Sequence, residues 1–139
     1  MNQQARPGES WTLTDVTLLI QKPDLDPEDV TRRLDIQPSA VRNPGVDRWG
    51  PPGETSGQWR LQCDERTTRT FSEQLHFILA AAEGRTSVLQ SLNAEGCEIS
   101  IVIGGYAAND SQLSLTAAEL IRLARLDIPL TLTPSLSER

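Results

Sequence analysis

The sequence predicts an α+β protein built as a two-layer sandwich, in which a four-stranded, mainly antiparallel sheet carries its helices on one face. Three observations indicate this fold: runs in which apolar and polar residues alternate, helices with well-marked first turns, and a strand–helix–strand pattern that occurs twice. Two such β-α-β units joined by a helical segment form a ferredoxin-like arrangement. We expect a disordered leader at residues 1–10, a single domain at residues 11–134 and a frayed tail at residues 135–139.

The first strand and the first helix are the most clearly marked elements. The run from Trp11 to Gln21 is rich in β-branched residues and alternates as a half-buried strand does. The stretch from Asp24 to Pro38 follows it and has the features of a short helix. Asp26 is a suitable N-cap, Pro27 has the φ of a first helical position, and Pro38 stops the helix.

A long loop rich in proline and glycine follows from Ser39 to Gly57. Loops of this length are uncommon inside compact domains and are often functional. Trp49 in this loop either anchors the loop on the body of the protein or contacts a partner, since tryptophan is enriched in binding hot spots. The candidate partner-binding residues are Arg42, Asp47, Arg48 and Trp49.

The middle of the chain predicts a second strand and a helical region. Residues Gln58 to Asp64 alternate, with Trp59, Leu61 and Cys63 on one side. Thr70 and Glu73 then form a capping box, which begins an amphipathic helix. The pattern is interrupted at residues 83–86, so we expect a kink or a second short helix that is capped by Thr86 and ends at Gly96.

The last third of the chain predicts a central strand, a helix and an edge strand. Isoleucines at every second place from Ile99 to Ile103 mark the third strand, and the spacing of Gly104 and Gly105 fits a bulged strand end better than a phosphate-binding loop. Thr116 and Glu119 form a second capping box, and the prolines of the run 128–134 favour an edge strand. Leu126-Asp127-Ile128 after this helix repeats Leu34-Asp35-Ile36 after the first one.

Composition narrows the classes of partner. The chain has 19 acidic and 13 basic residues, for a net charge of −6, which disfavours nucleic acid and anionic membranes and favours a basic protein partner. The polar first ten residues lack the apolar core of a signal peptide, and no segment approaches the length of a membrane span, so we expect a cytoplasmic protein. No cofactor is predicted.

The residues that could carry chemistry have simpler structural explanations. Cys63 and Cys97 with a single histidine, His76, do not make a zinc site, and both cysteines are expected to be buried and reduced. A Cys-His catalytic pair remains open, but His76 is more simply a boundary residue on its helix. The acidic residues from Asp24 to Asp29 lack calcium-loop spacing and are explained by helix capping.

Several of these segments together resemble a known family. The first strand, the stretch from Asp24 to Leu34 with Pro38 behind it, Arg42 and Gly45 in the loop, and the strand at Trp59-Arg60-Leu61 are similar to the bacterial family called domain of unknown function 4279. Leu75, His76 and Leu79, the strand before Gly104, and Leu113-Ser114-Leu115 are similar as well. The resemblance extends from about Val16 to Leu132 and implies a cytoplasmic accessory domain, with toxin immunity as a role.

We therefore expect a non-catalytic protein-binding domain, acting as an immunity protein that blocks a bacterial toxin with a basic surface. The main alternative is a small-ligand sensor whose ligand lies on the open sheet face or in a homodimer seam. A third alternative is a small enzyme that uses Cys63 or Cys97.

Overall fold

A computed structural model describes residues 10–45, 55–64, 69–108 and 110–136, and five strands and four helices follow one another along these ranges. The strands are β1 (Thr12–Lys22), β2 (Ala40–Arg42), β3 (Gly57–Gln62), β4 (Glu98–Tyr106) and β5 (Leu130–Ser135). The helices are α1 (Pro27–Leu34), α2 (Phe71–Glu83), α3 (Thr86–Ala94) and α4 (Ala117–Leu126). No helix in the described ranges is long and apolar enough to cross a membrane.

The sheet corrects the predicted fold. Its five strands are ordered β2-β3-β1-β4-β5, and β5 pairs parallel to β4 while the other neighbours pair antiparallel. The α+β class is confirmed, but the four-stranded, mainly antiparallel, ferredoxin-like sheet is wrong. The missing strand is β2, whose three residues are all exposed and therefore show no alternation of apolar and polar side chains.

The interpretation as two β-α-β units is also wrong. The strand that follows the loop, β3, lies directly beside β1 and antiparallel to it, with Leu18 opposite Leu61. Only the second unit joins adjacent parallel strands, since α4 leads from β4 to β5 and Ile101 lies opposite Leu130. The repeat in sequence therefore reflects similar local turns and does not indicate a similar arrangement of strands.

The helices cover one face of the sheet, where the core lies. The inward positions of β1, β3 and β4 alternate with polar ones, as predicted, and Trp59 is the largest fully buried side chain. Its indole N–H donates to the Thr31 hydroxyl of α1 at 3.0 Å. The sheet contributes Val16, Leu18, Ile20, Trp59, Leu61, Ile99, Ile101 and Ile103 to the core, and the helices contribute Val30, Leu34, Leu75, Ile78, Leu79, Leu92, Leu123 and Leu126.

The predicted helix starts are confirmed where a side chain makes the cap. Asp26 accepts from the Glu28 N–H at 3.1 Å, and both capping boxes are complete. The helical region divides into α2 and α3, but Thr86 is the first residue of α3 and Arg85 occupies the cap position without a side-chain bond. The register shift at this end of the sheet lies in the facing strand β1, between Thr12 and Asp15, and not in the strand of Gly104 and Gly105, where a bulge was predicted.

Candidate functional site

One end of the sheet brings together Arg42, the base of the long loop and the acidic start of α1. Because β1 runs antiparallel to both β3 and β4, its last residues lie beside the first residues of those two strands. Arg42, at the end of β2, lies opposite Gln58, which lies opposite Gln21, which in turn lies opposite Glu98. We call this cross-strand row, with the start of α1 and the base of the 46–54 loop, the loop end of the sheet.

Side chains of the row are linked on the face away from the helices. The Gln58 amide donates to the Gln21 side-chain oxygen at 3.0 Å, and the Gln21 amide donates to the Glu98 carboxylate at 3.3 Å. Arg60 joins the row by donating from Nε to the Gln58 side-chain oxygen at 3.2 Å. The row therefore forms an ordered polar surface with cations towards β2 and a carboxylate on β4.

The base of the long loop is closed at the same end. The Gly45 N–H donates to the Thr55 carbonyl at 2.8 Å, and the Arg42 Nε–H donates to the Ser56 carbonyl at 2.9 Å. Of the predicted partner-binding residues, Arg42 is thus placed as an exposed side chain beside the loop base. Asp47, Arg48 and Trp49 lie outside the described residues.

The acidic start of α1 lies at the loop end as well. Leu25 is buried, and its backbone packs so closely on Gly57 that a Cβ at Gly57 would lie 2.5 Å from the Leu25 carbonyl oxygen. This contact holds the chain before α1 against the start of β3. Asp24 has a side chain that is 81% exposed and lies 3.7 Å from the Lys22 ammonium, and Glu28 is also exposed. The loop end therefore presents both Arg42 and solvent-facing carboxylates.

Arg33 neutralises one of the carboxylates near this end. Its guanidinium donates to both oxygens of Glu95 at 2.9 and 2.7 Å, which joins α1 to the end of α3. These hydrogen bonds, opposed by partial burial and supported by the charge of Arg33, hold the pKa of Glu95 below its ordinary value. Asp24, Glu28 and Glu98 have no arginine partner of this kind in the described contacts, so they add exposed negative charge beside Arg42 and Arg60.

The two cysteines lie at opposite ends of the sheet. Cys63 follows the last residue of β3, and Cys97 precedes the first residue of β4. Both strands pair with β1, and their registers place the two cysteines beside positions of β1 that are six residues apart. Both are buried, and burial raises the pKa of the Cys97 thiol. A catalytic cysteine needs a lowered pKa, so the environment of Cys97 favours the neutral thiol over the nucleophilic thiolate.

His76 has an interaction partner that the sequence does not indicate. Its Nδ1 lies 3.0 Å from a guanidinium nitrogen of Arg122, and Arg122 also donates to both oxygens of Glu83 at 2.8 Å each. These hydrogen bonds lower the pKa of Glu83. His76 thus belongs to a surface cluster that joins α2 to α4. Across the residues that the structure describes, no group of three or more His, Cys, Asp and Glu side chains could hold a metal ion.

An open cleft of about 1040 Å³ lies where β4 begins and β5 has not yet joined it. β5 starts at Leu130, opposite Ile101, so the first residues of β4 have no strand on that side. Apolar side chains of α4 and β4 form much of the wall, and Asn93 and Asp127 add polar groups. Sequence reasoning missed this cleft because it depends on where β5 begins relative to β4, which no local pattern reveals.

The polar row was predicted only in part. The alternation of β3 indicates that Gln58 and Arg60 face water, and the structure confirms that they lie on the face away from the core. That Gln58 meets Gln21, and that Gln21 meets Glu98, follows from strand register alone. Register is set by turn geometry and by the whole pattern of buried residues, so the row could not be assembled from one segment.

Comparison with known proteins agrees with the resemblance seen in the sequence. The family model described as "Domain of unknown function (DUF4279)" matches residues 11–137, which include every strand and helix described above. No curated protein and no solved structure matches the chain. Because the matched segment covers most of the 139 residues, the chain belongs to the DUF4279 family.

Proposed function

We propose that this chain is a non-catalytic protein-binding domain that acts in the bacterial cytoplasm as an immunity protein against a toxin with a basic surface. Its partner binds the loop end of the sheet, with Arg42, Asp47, Arg48 and Trp49 and the acidic start of α1 as the contact residues. The observation that carries the proposal is that Arg42, the base of the long loop and the exposed carboxylates near α1 share this end.

Charge and order at the loop end support a protein partner. A net charge of −6 with exposed carboxylates attracts a basic surface and speeds its encounter with the chain. The hydrogen-bonded row from Arg60 to Glu98 is already ordered in the free protein, so little side-chain entropy is lost on binding. Trp49 would supply the large aromatic contact that a charged surface lacks.

The test uses the purified chain and any toxin that a gene neighbouring its own encodes. We expect Trp49→Ala to weaken binding by at least about tenfold, as loss of a hot-spot aromatic does. Phe77→Ala is the matched control, because Phe77 is an aromatic side chain that is 40% exposed on α2, away from the loop end. Affinity should also fall as NaCl is raised, since screening weakens charge attraction.

A photoreactive residue placed at Arg42 should crosslink to the toxin, and one placed at Ser72 should not. Ser72 is exposed at the start of α2, which follows the opposite end of β3. Equal crosslinking from both positions, or equal loss of affinity in the tryptophan and phenylalanine variants, would remove the loop end from the proposal.

A small-ligand sensor is the second candidate, and the cleft beside Ile99 favours it. Its volume is close to the upper end of the range of ligand sites, and its wall combines apolar side chains with Asn93 and Asp127. A metabolite that binds the native state would raise the melting temperature with increasing concentration. Leu123→Ala would alter the wall, and a metabolite whose stabilising effect is unchanged in this variant binds elsewhere.

A further inference from the structure

The outer edge of β5 is an exposed strand edge without charge. The strand Leu130–Ser135 pairs with β4 on one side only, and neither it nor the following Leu136 includes a charged residue. Natural proteins usually protect such edges with lysines, prolines, short strands or cover from another segment, and of these features β5 has one proline, Pro134, near its end. The edge at the other side of the sheet follows that rule, since β2 is three residues long and ends in Arg42.

The hydrogen bonds between β4 and β5 determine which backbone groups of β5 point outwards at this edge. The Ile101 N–H donates to the Pro129 carbonyl at 2.9 Å, and the Ala107 N–H donates to the Ser135 carbonyl at 2.8 Å. Because backbone groups alternate along a strand, Thr131 and Thr133 also face β4. The N–H and C=O groups of Leu130 and Leu132 and the carbonyl of Pro134 therefore point outwards.

This edge is self-complementary about Leu132. In an antiparallel pairing of two copies centred there, each Leu132 would exchange both backbone hydrogen bonds with its counterpart. Each outward N–H of Leu130 would meet the carbonyl of the other copy's Pro134. Both outward donors of the strand are used, and the missing N–H of Pro134 falls at the ends of the seam.

Apolar side chains accompany the edge on the helix side. Six large hydrophobic residues are exposed among the described residues, and four of them belong to α4, β5 or the residue after β5. Leu123 and Leu126 point into the core and Arg122 points towards α2, so Leu120 lies on the flank of α4 away from α2. The four are Leu120 at 52%, Ile121 at 51%, Leu132 at 49% and Leu136 at 82% exposure.

Charge favours this edge as the place where two copies meet. Each copy carries a net charge of −6, so two copies repel one another across most of their surfaces. The β5 edge has no charge to oppose the contact, and exposed leucines lie beside it. β5 also runs away from the loop end, because it pairs with β4 only from Ile101 onwards.

We propose that two copies of this chain associate through their β5 edges, antiparallel about a two-fold axis at Leu132, to form one sheet that runs through both. With the axis perpendicular to the sheet, both helix layers lie on the same side, and the Leu120 flanks of the two α4 helices face each other above the Leu132 pair. The loop ends remain free, so this assembly is independent of the partner proposed above.

Sedimentation equilibrium of the full chain over about 1 to 500 µM tests the proposal. We expect twice the monomer mass at high concentration and dissociation on dilution. Leu132→Lys should weaken association at least about tenfold, because an edge lysine opposes strand pairing. Val41→Lys is the matched control: Val41 is likewise 49% exposed on an edge strand, on the opposite side of the sheet.

Hydrogen exchange gives a second measurement that needs no variant. The amides of Leu130 and Leu132 should exchange more slowly as the concentration rises, because they are bonded only in the dimer. A monomer at every concentration would overturn the proposal. So would a dimer that persists in Leu132→Lys but is lost in Val41→Lys, or one formed through residues 1–9 and lost on their removal.

Discussion

Two aspartates end helices in the same unusual conformation. Asp35 after α1 and Asp127 after α4 both have φ of 57°, with ψ of 42° and 41°. The repeated Leu-Asp-Ile sequence is therefore a shared C-cap, in which a buried leucine precedes a left-handed aspartate. The repeat of this cap does not imply a repeated fold, because similar caps can end helices that lead to different strands.

Asp35→Gly should stabilise the protein, because glycine adopts a left-handed conformation without the steric cost that other residues meet. We expect the free energy of unfolding to rise by roughly 0.5–1 kcal/mol, and Asp35→Ala to lower it by about as much. Urea denaturation of both variants measures the difference. If the glycine variant were the less stable of the two, the cap would depend on the aspartate side chain and not on backbone conformation.

Gly57 is required by the contact that holds α1 at the loop end. A Cβ there would lie 2.5 Å from the Leu25 carbonyl oxygen and 2.9 Å from the Leu25 Cβ, so backbone would have to move. Gly57→Ala should lower the free energy of unfolding by at least about 2 kcal/mol. Gly84→Ala is the control, since its Cβ would meet nothing nearer than 3.7 Å and should change stability by under about 1 kcal/mol. Equal effects in chemical denaturation would contradict the role assigned to this contact.

At the scale of elements, local chemistry was predictable and contacts between elements were not. The capping boxes at Thr70 and Thr116 were recognised because their partners lie three residues away. By contrast, the Thr31 hydroxyl of α1 accepts the N–H of the buried Trp59. That bond joins residues 28 positions apart, which no helical pattern specifies.

The pair Arg33 and Glu95 joins two helices in a pH-dependent way. Since Arg33 lowers the pKa of Glu95 in the folded state, the pair stabilises the fold above the unfolded pKa of about 4.3, and this contribution is lost as the pH falls through the lower folded value. In Glu95→Gln, the free energy of unfolding should therefore fall less steeply on the acid side, between about pH 5 and pH 2, which we call the acid limb. Denaturation across this range measures it, with Glu98→Gln as the control because Glu98 bonds Gln21 and not an arginine. An unchanged acid limb in Glu95→Gln would show that the pair does not form in solution.

At the scale of the whole molecule, the class could be predicted and the topology could not. Alternation in β1, β3 and β4 and the spacing of the helices were enough for an α+β sandwich with its core on one face. The order of strands depends on β1 pairing with both β3 and β4, between residues about 35 to 95 positions apart. The same holds for the candidate site. Arg42 could be proposed from its position in the loop, but its neighbours across the sheet could not.

Topology also determines what the cysteines can do. Extending the registers by one residue places Cys63 beside Val16 and Cys97 beside Lys22, six residues apart along β1, which corresponds to about 20 Å. A disulfide needs Cα atoms within about 7 Å, so no disulfide should form within the folded chain under mild oxidation.

Burial of both thiols, with the raised pKa of Cys97, should also make alkylation at pH 8 at least about tenfold slower than in urea. Mass spectrometry after timed iodoacetamide treatment measures both, with Gln90→Cys on the exposed face of α3 as a thiol that should react quickly. Rapid labelling of Cys97 in the folded protein would contradict its buried position and favour the alternative of a cysteine-dependent enzyme.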